Sequence, residues 1–196
     1  MAEIKAINPA FRHRQYLFRR KVLKLFGGAF HVYDENGNVL FYSKQKAFKL
    51  KEDFRIYSDE SQTQELLTIK TPQILDIGAT YNVQDVTTGD AVGALRRKGL
   101  KSIFKDEWVI LSKEGKEIGT LTETSLIAAL LSRVISLIPQ TYVVLANNRE
   151  VAKIKQHFNP FVLKYTMTII DERPSVDPRL LIAAGILLAG IERRQQ

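Results

Sequence analysis

Residues Leu180 to Ile191, Leu-Leu-Ile-Ala-Ala-Gly-Ile-Leu-Leu-Ala-Gly-Ile, form an apolar run without one charged side chain. The flanks mark it as a helix of about 178–192. Asp177 is a natural N-cap, Pro178 suits the first helical position, and Arg193 and Arg194 complement the dipole at the far end. Apolar on every side, such a helix cannot lie on a surface with one face wet. It is also too short to cross a bilayer, which takes about 20 apolar residues for roughly 30 Å of hydrocarbon. A short tail anchor is one alternative. The economical solution is a helix threaded through a barrel of strands, kept thin by Ala183, Ala184, Gly185, Ala189 and Gly190.

The rest of the chain reads at a period of two, the signature of antiparallel strands. Phe161, Leu163, Tyr165, Met167 and Ile169 fall on one face, with Lys164, Thr166 and Thr168 on the other. Phe54 and Ile56 alternate with Arg55 and Tyr57, and Ala152 and Ile154 with Lys153 and Lys155. Between such runs lie hairpin signals: Asn36-Gly37, which suits a type I′ turn, Thr88-Gly89-Asp90, Glu114-Gly115-Lys116 and Asn147-Asn148. About a dozen strands can be counted from Tyr16 onward, enough for a closed antiparallel β-barrel with no free edge around the C-terminal helix. The fold class is thus mainly β with a buried helix, and 196 residues favour a single domain over two.

One more segment breaks the alternation. Ser125 to Ile138 has helical propensity and is apolar around most of its circumference, ending at Pro139. Leu126, Ile127, Leu130, Leu131, Val134, Ile135, Leu137 and Ile138 are its candidate contact residues. The plainest use of such a helix is to pack on the barrel wall or close an open end. Insertion into a membrane surface, a homodimer contact or a protein partner are the other uses of so much apolar surface.

Several stretches resemble the LURP-one-related and phospholipid scramblase-like branch of the tubby C-terminal-like superfamily. They are Tyr16 to Leu23, Phe30 to Phe41, Lys46 to Leu50 followed by Asp53 to Tyr57, and the ending from Asp177 to Glu192. In order and spacing they cover nearly the whole chain. The resemblance implies a barrel of twelve strands around an apolar C-terminal helix. It also implies a lipid-facing role, because tubby domains bind phosphoinositides through basic residues on the barrel. The sequence does not reproduce the tubby lipid-site motif, and the apolar 125–138 insertion is longer than the family's usual connection. It also lacks the proline-rich N-terminal region and acidic calcium segment of animal scramblases, so calcium-triggered scrambling does not carry over.

Chemistry-bearing motifs are weak. Asp34, Asn36 and Asn38 imitate the start of an EF-hand loop, but Val39 stands where glycine is needed and Gln45 where the closing glutamate belongs. His13, His31 and His157 lack metal-site spacing, and Gly27-Gly28 precedes a strand rather than a helix. With no cysteine in the chain, thiol catalysis and thiolate metal sites are excluded. No cofactor and no enzymatic activity are expected. The N-terminus does not read as a signal peptide, which makes a cytoplasmic location the expectation.

The formal net charge of +8 favours anionic partners. Two clusters concentrate it: Arg19, Arg20 and Lys21, beside Arg12, Arg14 and Lys24, and Arg96, Arg97, Lys98, Lys101 and Lys105. These are the candidate phosphate-binding residues. A peripheral module binding anionic phospholipids is the leading expectation. The alternative is a structural or interaction protein working through the 125–138 helix. Nucleic acid is a distant third, since no recognition motif accompanies the charge.

Overall fold

The computed structural model describes residues 6–21, 29–44, 53–72, 78–98, 107–124, 139–159, 162–172 and 175–191. Twelve strands close into one barrel. They are β1 (Gln15–Lys21), β2 (Ala29–Tyr33), β3 (Val39–Lys44), β4 (Asp53–Tyr57), β5 (Glu65–Lys70), β6 (Thr80–Asp85), β7 (Ala91–Arg97), β8 (Glu107–Ser112), β9 (Glu117–Glu123), β10 (Thr141–Ala146), β11 (Arg149–His157) and β12 (Val162–Ile169). Each strand pairs antiparallel with its sequence neighbours, and β1 closes the ring on β12 from Gln15↔Thr168 to Lys21↔Val162. The expected barrel of about a dozen strands is therefore the observed one.

Alternation sets the two faces. In β12, Leu163, Tyr165 and Met167 are buried while Lys164 and Thr166 are partly exposed. In β4, Phe54 and Ile56 are buried between the more exposed Asp53, Arg55 and Tyr57. The inward residues meet helix α1 (Pro178–Ile191), in which Leu180 to Ala189 are buried. Small residues let it fit. A Cβ added at Gly185 would lie 2.4 Å from Cζ of Phe18, and one at Gly190 would lie 3.0 Å from a ring carbon of Phe54. Before β1, a 3₁₀ turn (Pro9–Arg12) brings Phe11 into the core, stacked on Phe41 at 4.7 Å between ring centroids.

Asp177 caps α1 as expected, its Oδ1 accepting from the Arg179 N–H at 2.9 Å. The hairpin at Asn36-Gly37 differs from the expected type I′ turn. Only Gly37 has positive φ, the loop is closed by Asp34 N to Asn38 O at 2.9 Å, and the register shifts after Val32. Asp34 accounts for the longer loop: its Oδ1 accepts from the N–H groups of Asn36 and Asn38, a local turn that competes with the two-residue form. The two-residue form occurs instead at Asn147-Asn148, where both residues have positive φ and Ala146 pairs with Arg149. Residues 125–138, Arg193 and Arg194 lie outside the described residues.

Candidate functional site

Consecutive antiparallel strands send successive connections to opposite ends of the barrel, so the chain's charge can be sorted by end. The connections β2–β3, β4–β5, β6–β7, β8–β9, β10–β11 and β12–α1 share one end. By sequence they carry Asp34, Glu35, Asp59, Glu60, Asp90, Glu114, Asp171, Glu172 and Asp177 against Lys113, Lys116 and Arg173. The remaining connections leave from the other end. By sequence they carry Lys24, Lys46, Lys49, Lys51, Lys98, Lys101, Lys105 and Arg133 against Glu52, Asp76 and Asp106, of which only Lys98 is among the described residues. Among the described residues the first end is acidic, although Arg12 and Arg14 before β1 also stand there; the basic excess of the second end is read from the sequence of its connections.

At the acidic end two carboxylates, Asp85 and Asp177, tie the helix to the barrel. Arg179, in the first turn of α1, is 7% exposed. Its guanidinium donates to Asp177 through Nε at 3.0 Å and Nη2 at 2.7 Å, and to Asp85 Oδ2 through Nη1 at 2.8 Å. Asp90 stands 3.9 Å from the same Nη1. The other oxygen of Asp85 accepts from Thr87 Oγ1 and from the N–H groups of Thr87 and Thr88, which fixes the β6–β7 turn. Burial pushes the Asp85 carboxyl up, yet these hydrogen bonds outweigh it and hold the group below the usual carboxylate value. Asp34 is likewise held low, chiefly by the side chain of Asn38. Its oxygens thus serve their own loop. Among the described residues no cluster of His, Asp or Glu is arranged to hold a metal ion.

The described members of the predicted clusters divide: Arg19 to Lys21 and Arg96 to Lys98 lie toward the second end, on opposite walls, whereas Arg12 and Arg14 precede β1 at the first, Arg14 standing 3.6 Å from Glu172. Alternation then sorts the strand residues between two faces. Arg20 shares the inward parity of Tyr16 and Phe18. It donates to the carbonyls of Ala189 and Gly190 at 3.2 Å each and lies 5.0 Å over the Phe30 ring, closing the C-terminus of α1. Arg97 shares the inward parity of Leu95 and lies 6.0 Å from the ring of buried Trp108. On the outer face, Arg96 pairs with Glu117 at 2.6 Å and Lys98 with Glu107 at 2.5 Å. Arg19 is exposed on the outer face, and Lys21 ends β1. Lys101 and Lys105 lie outside the described residues, as do Leu126, Ile127, Leu130, Leu131, Val134, Ile135, Leu137 and Ile138.

Sequence reasoning missed a third group. Arg19 stands in register with Lys164, and Lys164 with His157, across β1, β12 and β11. Lys155 lies two residues from His157 on the same exposed face of β11. Among the described residues, no carboxylate pairs with Arg19, Lys155 or Lys164. The signal was present as alternating lysines, but strand register was needed to bring them together.

A family model for LURP-one-related proteins matches residues 39–189, from the first residue of β3 nearly to the end of α1. The chain belongs to the LURP-one-related family. Its closed barrel around α1 fits the tubby-like superfamily. Within this member, β1 and β2 precede the matched segment, yet β1 completes the ring and supplies Arg20 to the helix end. No curated protein matches the sequence significantly. No described helix is long and apolar enough to cross a membrane.

Proposed function

We propose that this LURP-one-related barrel is a non-enzymatic peripheral module that binds the headgroups of anionic phospholipids with its basic end. What supports this reading is the distribution of charge along the sequence, with carboxylates concentrated in the connections of one end and lysines and arginines in those of the other. A barrel with one basic and one acidic end orients itself in the field of an anionic bilayer, basic end inward. Near such a surface each lysine or arginine contributes about 1 kcal/mol, within a Debye length of the headgroups. Excess cations gathered at one end add up; the same cations spread evenly would be cancelled by neighbouring carboxylates.

The test is co-sedimentation of the whole protein with phosphatidylcholine vesicles, with and without phosphatidylserine, at low and at physiological salt. Binding restricted to the anionic vesicles and weakened by salt is the expected result. Absence of binding to anionic vesicles even at low salt overturns the reading.

A further inference from the structure

The wall made by β1, β12 and β11 places cations opposite one another, an arrangement that costs stability in a sheet unless something offsets it. Arg19 faces Lys164 across one strand pair, and Lys164 faces His157 across the next. His157 is hydrogen bonded to Thr166 Oγ1 at 2.7 Å, which leaves its ring at the surface beside the two lysines. The next residue, Phe158, is 56% exposed, the highest exposure among the large hydrophobic side chains of the described residues. It sits where β11 leaves the barrel at the basic end.

We propose that this corner, formed by Arg19, Lys155, Lys164, His157 and Phe158, is the headgroup contact through which the protein docks on an anionic phospholipid surface. The cations hold phosphates and Phe158 enters the interfacial layer. The assignment rests on the lipid-binding reading and gives it a site.

Three observations separate this corner from the Arg96 wall. On the Arg96 wall a phosphate must displace Glu117 and Glu107 from the cations they already pair with. Among the described residues, Arg19, Lys155 and Lys164 have no carboxylate to lose. An exposed aromatic ring beside the cations is matched to the boundary between headgroup and acyl chain, where amphipathic and aromatic side chains gather. A soluble phosphate would engage the cations but gain nothing from Phe158, so a lipid surface is the ligand that uses the whole corner. The His157 ring is also held below its ordinary value, by burial first and then by the charges of Lys164 and Lys155.

The experiment compares the whole protein with four variants on phosphatidylcholine vesicles containing phosphatidylserine. Lys155→Ala and Lys164→Ala are each expected to weaken binding about fivefold, the ratio that about 1 kcal/mol corresponds to. Arg96→Ala is expected to weaken it less than twofold. Phe158→Trp supplies a local probe, because the native Trp108 is buried at 2% exposure and contributes a constant background. A blue shift of the added fluorescence on anionic vesicles, and none with excess inorganic phosphate, is the expected result. Vesicle binding that survives Lys155→Ala and Lys164→Ala, with the emission of the Phe158→Trp variant unchanged, overturns this site and leaves the lipid-binding reading standing. Loss of vesicle binding by the unmodified protein overturns both.

Discussion

At its N-terminus the central helix is tied to the barrel by a guanidinium gripped by two carboxylates and approached by a third. At its C-terminus one arginine from β1 reaches the last carbonyls and stacks on a phenylalanine. The N-terminal tie is nearly dry: the side chains of Arg179 and Asp85 are 8% and 1% exposed. The C-terminal tie is only partly buried. The difference assigns work to the two ends. At the acidic end Asp85 and Asp177 are taken up in holding the helix, turn and barrel in one arrangement. The basic end keeps cations on its outer wall that no carboxylate among the described residues engages.

Breaking the N-terminal tie should have the largest effect. Arg179→Met leaves Asp85 and part of Asp177 buried without a counter-charge, and removal of one member of a buried pair costs about 3–5 kcal/mol. Urea denaturation should show that loss, and Asp85→Asn in the Arg179→Met background should recover part of it. A double variant whose loss equals the sum of the two single losses would mean that the pair is not coupled. The same contact predicts an acid limit. Asp85 has its folded-state pKa depressed, so its contribution is complete above the ordinary value of 3.8 and disappears as pH falls through the lower folded value. Stability measured from pH 6 downward should therefore fall below about pH 4, and less steeply in Asp85→Asn.

Between the two ties the helix is located by shape alone, which Gly185→Ala tests. The added methyl meets the Phe18 ring at 2.4–2.9 Å, and Phe18 is fully buried with nowhere to turn. Overpacking of this kind costs about 1–3 kcal/mol, against about 1 kcal/mol that alanine gains over glycine in a helix. A net destabilisation is expected in thermal denaturation; a stabilised variant would show that the barrel wall yields at that point.

The C-terminal tie should be weaker. Arg20→Ala is expected to cost about 1–2 kcal/mol, the lower part of the range for a charged donor because the contact is partly wet. It should leave vesicle binding within twofold of the unmodified protein. The opposite pattern, intact stability with lost binding, would place Arg20 at the surface and erase the distinction between structural and spare cations.

Much of this architecture was legible because it depends on local periodicity. The apolar run after Asp177-Pro178 is a buried helix, and the alternation through Leu163, Tyr165 and Met167 is a strand facing it. What escaped depends on partners distant in sequence. Arg179 and Asp85 are 94 residues apart, so the sequence could present Asp177 as a cap without revealing the ion pair behind it. Arg19, Arg20 and Lys21 look like one patch when read in order, but strand parity turns Arg20 toward the helix. Conversely, Arg19, Lys164 and His157 are scattered in the chain and adjacent only through the closure of β1 on β12. At Asn36-Gly37 the obstacle is local: the side chain of Asp34 selects the longer loop.

The smallest effect is the most direct report on the spare cations. His157 faces Lys164 across the strand pair and Lys155 along its own strand, with Thr166 as its hydrogen-bond partner. Burial and the two lysines lower its pKa from the ordinary 6.5. Burial is the first cause, but the two lysines add to it, so removing either should raise the value. NMR titration of the imidazole should show an upward shift in Lys164→Ala and in Lys155→Ala, and none in Arg96→Ala on the opposite wall. Anionic vesicles should shift the unmodified protein in the same direction, since a phosphate near Lys164 cancels the charge that the imidazole senses. If Lys164→Ala leaves the titration unchanged, the ring and the lysine do not share a field. The row of cations would then be an alignment of backbones and not a site.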